Sequence, residues 1–161
     1  SAPEEYFFEA DRLISENDVN GAYQLLQELL EKYPDYGRAY NHLGFIYETK
    51  YRDFERAESC YRQCLELTPE YPAIYLNYAV LLSSQERWSE LEPLLHQALK
   101  VPGVKKNKIY NEFAIAEEVQ SNYAAALEYY QQAIRFAFKD SEIATYQGSM
   151  ERVRKKMELL N

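Results

Sequence analysis

The 161-residue chain has little of what breaks a fold and little of what staples one. With 5 Gly and 6 Pro it leaves few places for long irregular stretches. Its two cysteines, Cys60 and Cys64, stand four apart. On one helix that spacing sends their Cβ vectors apart and makes a disulfide between them geometrically poor. There is no Cys-x-x-Cys, no Asn-x-Ser/Thr sequon, no secretory leader and no apolar run approaching about 18 residues. These absences argue for a soluble protein that does not insert in a membrane, in a reducing and therefore cytoplasmic setting. The chain opens Ser1-Ala2-Pro3 without an initiator Met, which leaves room for an exported or anchored parent protein whose upstream segment has been cut away.

The parts of an active site are also missing. No Gly-rich phosphate loop is present, and His42 and His96 have no metal-ligand spacing with each other or with the cysteines. The carboxylates are many but show no positioned set. The reading is therefore no enzyme, no catalytic residue, no metal and no cofactor. Cys64 reads as a small apolar core residue and His42 as a surface polar one.

Basic residues are scarce at one end. Net charge is −8; residues 1–36 hold 9 acidic and 2 basic side chains, residues 1–71 hold 15 and 7, and residues 72–161 hold 11 and 11. Nucleic-acid binding needs clustered Lys and Arg to displace counterions, so an acidic end argues against it. By charge it favours a basic partner, although solubility alone explains a solvated acidic face.

What is there is a repeat. Tyr6, Tyr40, Tyr75 and Tyr110 are 34, 35 and 35 residues apart, and each is followed four residues on by Ala10, Gly44, Ala79 or Ala114. A second track holds Ala22, Ala57, Leu91 and Ala126, then Leu26, Tyr61, Leu95 and Tyr130. Two tracks per period of about 34 residues mean stacked helical hairpins. The small residues mark where helices cross closely. In the second period Tyr40, Leu43, Gly44 and Tyr47 share one helical face, Thr49 to Asp53 supply a turn, and Phe54, Ala57, Tyr61, Cys64 and Leu65 share the next. Thr68-Pro69 and Tyr33-Pro34 stop helices. Ser89-Glu90-Leu91-Glu92 fits a capping box with Ser89 as N-cap and Pro93 near the first turn. The stretch from Val101 to Asn107 is the least helical. Beyond it, Ile143, Tyr146, Met150, Val153, Met157 and Leu160 form one stripe on a closing helix, with Glu151, Arg152, Lys155 and Lys156 opposite.

The tracks resemble the tetratricopeptide repeat family. Repeat two carries the likeness best, in Tyr40, Leu43, Gly44, Tyr47, Ala57, Tyr61, Cys64 and Pro69, with one extra residue in its turn. The resemblance implies an all-α, right-handed α-solenoid of helix-turn-helix hairpins. Residues 1–138 would hold four repeats (about 3–36, 37–71, 72–106 and 107–138), and 139–161 an amphipathic capping helix. It further implies a protein-protein adaptor or scaffold whose first helices line a concave groove. Carried onto this chain, the groove positions are Glu4, Phe7, Asp11 and Ile14; Arg38, Asn41, Phe45 and Glu48; Ala73, Leu76, Val80 and Ser83; Lys108, Asn111, Ile115 and Glu118. Asn77 joins them as one of two matches to the clamp that one subclass uses for acidic chaperone tails. Lys108 is the other, and Glu112 stands where that clamp needs Arg, so a chaperone-tail clamp is not expected. The partner would be a peptide or helix of another protein. A homo-oligomer or a segment of a longer repeat protein is the alternative, since the only candidate cap is C-terminal and Tyr6, Phe7 and Phe8 lie close to the other end.

Overall fold

A computed structural model describes residues 2–160, and all regular structure among them is helical. The helices are α1 (Pro3–Ser15), α2 (Val19–Lys32), α3 (Gly37–Ile46), α4 (Phe54–Leu67), α5 (Pro72–Ser84), α6 (Trp88–Leu99), α7 (Lys106–Val119), α8 (Tyr123–Arg135) and α9 (Asp140–Leu160). They fall into two compact units, one through Leu81 and one from Leu82 onward. In the first unit α1 packs on α2, α3 on α4, and α2 on α3. In the second, α6 packs on α7, α7 on α8, and α8 on α9. The chain has the all-α helical-hairpin fold of a solenoid repeat.

The hairpin turns share one design. The residue just ahead of the N-cap of each second helix takes the left-handed conformation: Asn17, Arg52, Glu86 and Ser121, with φ of 65°, 54°, 54° and 65°. In three turns the next N–H donates to the carbonyl five residues back: Asp18 to Leu13, Arg87 to Leu82 and Asn122 to Glu117. In the second hairpin Asp53 N–H donates instead to the Tyr47 carbonyl, six back, at 2.9 Å. Residues Tyr47–Tyr51 widen into a π-helical turn. The expected turn at Thr49 is corrected accordingly. The extra residue of this repeat is absorbed inside the helix, which is how a single inserted residue is commonly accommodated. Asp18 and Asp53 then cap α2 and α4, accepting from Gly21 N–H at 3.0 Å and Arg56 N–H at 3.1 Å. Because none of the four left-handed residues is glycine, the turns are sensitive to branching at Cβ. Glu86→Val is expected to cost about 1 kcal/mol and Glu86→Asn almost nothing. Denaturation midpoints of the two variants check this.

The third hairpin starts differently from the sequence reading. α6 begins at Trp88 with Arg87 as N-cap and no side-chain cap. Ser89 is therefore inside the helix and forms no capping box, and Pro93 lies in the helix interior. The ring removes the N–H that would have met the Ser89 carbonyl. Ser89 and Pro93 are both exposed, so water can serve that carbonyl.

Packing follows the two tracks. Ala10, Ala22, Ala57, Ala79, Ala114 and Ala126 are all 0% exposed. At Gly44 there is no room for a side chain at all: a Cβ would sit 2.6 Å from Tyr61 Cε1 and 3.1 Å from the Ala57 carbonyl oxygen. Cys60 and Cys64 are free thiols, and burial pushes them up to about 12 and about 11, which keeps them protonated.

α9 covers the second unit with Tyr146, Met150 and Val153, all buried, and with half-buried Ile143 and Met157. The stripe ends there, since Leu160 is exposed. Its polar face is not simply solvated. Arg152 Nε and Nη2 donate to Glu118 on α7 at 2.8 and 2.7 Å, and Lys156 Nζ donates to the same carboxylate at 2.7 Å. The Tyr130 hydroxyl, from α8, donates to Glu118 at 2.7 Å. One buried carboxylate thus joins three helices. Arg152, with Lys156 and Tyr130, holds it down to about 2 against the effect of burial.

Candidate functional site

Helical spacing brings a small set of side chains to one opening in the first unit. Asp11 and Ile14 of α1, Asn41, His42 and Phe45 of α3, and Ala73 and Asn77 of α5, with Tyr71 just ahead of α5, line a cleft of about 320 Å³. Steps of three and four residues put each helix's contribution on one face. The apolar part is Ile14, Phe45 and Ala73. Phe45 is 38% exposed, high for a large aromatic flanked by buried neighbours on its own helix.

The polar part is a single row of hydrogen bonds. Asn77 Nδ2 donates to Asn41 Oδ1 at 2.9 Å. Asn41 Nδ2 lies 3.2 Å from His42 Nδ1, and His42 Nε2 lies 2.9 Å from Asp11 Oδ1. The carboxylate can only accept, so Nε2 carries the proton and Nδ1 accepts from Asn41. Burial lowers the His42 pKa and Asp11 opposes it, leaving a net lowering, so the imidazole is neutral at neutral pH. The contact with Asp11 is a hydrogen bond to a carboxylate rather than an ion pair. Phe7 backs the row, its ring 4.5 Å from that of His42. Asn41 is only 2% exposed, so its amide is fixed rather than free to turn.

Several residues carried over by resemblance are placed elsewhere. Phe7 is 5% exposed and belongs to the wall behind the cleft, not to its surface. Glu48 is half-buried and accepts from the Tyr61 hydroxyl at 2.7 Å. Arg38 is exposed, with its guanidinium 5.2 Å over the Tyr71 ring at the cleft margin. Glu4 is exposed on the first turn of α1, Leu76 is half-buried and Val80 is 42% exposed. In the second unit Asn111 and Ile115 are half-buried, and Lys108 Nζ lies 3.6 Å from Glu142 of α9. Glu112 is buried and burial lifts its carboxyl to about 7, so the position holds neither a cation nor a fixed anion. Tyr71 is a cleft residue that sequence reasoning passed over, while His42, expected as a surface polar residue near the groove edge, lines the cleft. His42 is no surface side chain, at 12% exposure, and its only signal was its place next to Asn41.

No group of three or more His, Cys, Asp or Glu among the described residues is arranged to hold a metal ion. No helix among them is long and apolar enough to cross a membrane.

Paired helices crossing at small residues, repeated at about 34 residues, define a class, and comparison with known proteins supplies its name. The profile of the tetratricopeptide repeat matches residues 37–71. The chain thus carries a tetratricopeptide repeat over that stretch. It is 25% identical over 133 residues to Superkiller protein 3 of Schizosaccharomyces pombe, a match covering 79% of this chain and 10% of that protein. The chain thus spans about a tenth of that relative's length. Among solved structures it is similar to PilF of Pseudomonas aeruginosa, with a TM-score of 0.84 at 18% identity, covering 97% of this chain and 69% of that one. It is also similar to yeast Tom70, with a TM-score of 0.82 at 20% identity, covering 98% and 34%. These structural likenesses are of fold. Tetratricopeptide repeats generally mediate protein-protein interaction, and proteins of this class are typically scaffolds without catalytic activity.

Proposed function

We propose that the protein is an adaptor that takes a peptide or helix of another protein along the first-helix face of its repeats. In this reading the repeats span about 3–36, 37–71, 72–106 and 107–138, and residues 139–161 cap them. The observation that carries it is the first-unit cleft, where an exposed aromatic, Phe45, stands beside a prearranged amide row, Asn41 and Asn77. Such a pairing suits recognition: an apolar anchor supplies affinity, and fixed donors and acceptors set register. Leu76 and Val80 extend the apolar surface along α5, and Lys108, Asn111 and Ile115 offer a related face on α7. The acidic residues of the first unit favour a basic ligand by charge.

Phe45→Ala is expected to weaken a bound partner peptide by about tenfold or more, with little change in melting temperature. Titration calorimetry against a peptide selected on the wild-type chain provides the measurement. Undiminished binding by the Phe45→Ala, Asn77→Ala double variant would remove the cleft from the reading.

A further inference from the structure

The second unit carries a surface that adaptor binding in the first unit does not use. From Lys100 through Asn111 the chain has four lysines, Lys100 included, and no carboxylate. The start of α7 and the linker between α8 and α9 enclose a cleft of about 410 Å³, lined among others by Val104, Lys105, Lys106, Phe136, Phe138 and Lys139. Phe138 is 99% exposed, the most exposed large apolar side chain described in the protein. Lys106 Nζ lies 5.3 Å over the Phe136 ring. Lys105 and Lys139 are exposed and have no ion-pair partner among the described residues. The one carboxylate of the cleft, Glu142, is already engaged, accepting from Asn107 Nδ2 at 3.1 Å with Lys108 Nζ 3.6 Å away. The surface is therefore aromatic at its centre and cationic at its margin.

The chain itself carries the complement. On α1, Glu4 and Glu5 precede Phe8 by four and three residues and share its face. Phe8 is 61% exposed, and both glutamates are exposed. The unit around them has 15 acidic and 7 basic residues, against 11 and 11 in the other unit. We infer that the α1 face of one copy, Glu4, Glu5 and Phe8, docks in the Lys105–Lys106–Lys139 cleft of a second copy with Phe138 at its centre. Each half of this contact is a different surface, so the association is head to tail and can propagate. The charges set orientation and rate, while the two phenylalanines supply buried apolar area. A protein of net charge −8 otherwise repels its own copies, so the contact depends on local complementarity and weakens with salt.

Sedimentation velocity over a concentration series tests this, at ionic strengths of about 0.05 M and about 0.5 M, between which the screening length shrinks severalfold. The expected result is a sedimentation coefficient that grows with concentration at low salt and returns to the monomer value at high salt. Phe138→Ala should weaken the association by about tenfold without altering the melting temperature, because the ring is free of the core. Lys105→Gln/Lys106→Gln/Lys139→Gln and Glu4→Gln/Glu5→Gln should each be monomeric alone. Mixed, they should form a one-to-one pair that grows no further, since each member has one intact surface. A wild-type chain that stays monomeric at every concentration overturns the inference. So does association that survives the triple lysine change, or failure of the two variants to pair. Binding to vesicles of anionic phospholipid by a chain that does not self-associate would reassign the cleft to a membrane surface.

Discussion

Ala57→Trp is expected to be among the most damaging single changes in the chain, lowering stability by about 1–3 kcal/mol or more. Ala57 is 0% exposed on α4 and faces α3 where Gly44 sits. The backbone approach at this crossing is already too close for a methyl group on Gly44, with Tyr61 Cε1 at 2.6 Å from where it would be. An indole cannot be taken up by side-chain rotation alone, so the helices must separate, and separation uncovers Tyr61 and Cys64, both 0% exposed. Glu55→Ala, on the exposed side of the same helix, is the control and should cost under about 0.5 kcal/mol. Urea denaturation followed by helical circular dichroism separates the two. Equal midpoints would mean that the hairpin register is misassigned.

Glu118→Ala should cost a similar amount, about 1–3 kcal/mol, for a different reason. The deletion leaves the Tyr130 hydroxyl, in a residue 0% exposed, without its acceptor. It also leaves Arg152 and Lys156 facing each other with no carboxylate between them. Those cations are partly exposed, so solvent absorbs part of the loss and the buried hydroxyl dominates. The effect should be local, with amide exchange in α9 rising more than in α1 or α3. Glu118 also makes the packing of α9 sensitive to acid. Its carboxyl lies at about 2 in the folded chain against an ordinary value of 4.5. A group with a depressed folded value stabilises fully above its unfolded value, and the contribution is lost as pH falls from about 4.5 through about 2. Glu118→Gln should flatten that part of the acid unfolding curve. An unchanged curve would show that the carboxylate holds nothing.

The hairpins were legible because packing writes itself into the sequence at fixed spacing. Tyr-x-x-x-small marks a crossing wherever it falls, and Thr68-Pro69 and Tyr33-Pro34 end helices at Leu67 and Lys32 by the chemistry of the proline ring. The closing stripe from Ile143 to Met157 was readable for the same reason. The π-helical turn was not, because one extra residue can be housed in a loop or in a widened helix turn, and the composition of Tyr47–Tyr51 does not choose. Nor was the start of α6, where Ser89 and Glu92 satisfy a capping pattern that the helix does not use. The cleft was half legible. Asn41, Phe45 and Asn77 followed from position in the repeat, but the role of His42 rests on Asp11, 31 residues away. A pattern that repeats every 34 residues reports which face is packed. It carries no record of which polar atoms on different helices meet.

The Asn77–Asn41–His42–Asp11 row has a sense as well as a shape. Every bond in it points the same way, from the amide of Asn77 toward the carboxylate of Asp11. Both amides are thereby oriented by one imidazole proton. Were His42 to gain a second proton on Nδ1, that nitrogen would turn from acceptor to donor and repel the Asn41 amino group. Asn41 could then keep its bond only by exchanging its oxygen and nitrogen, and Asn77 would have to follow. The atoms lining the opening would stay where they are while their lettering reversed, donors standing for acceptors along two helices. A ligand read by those amides would meet a different message written in the same residues.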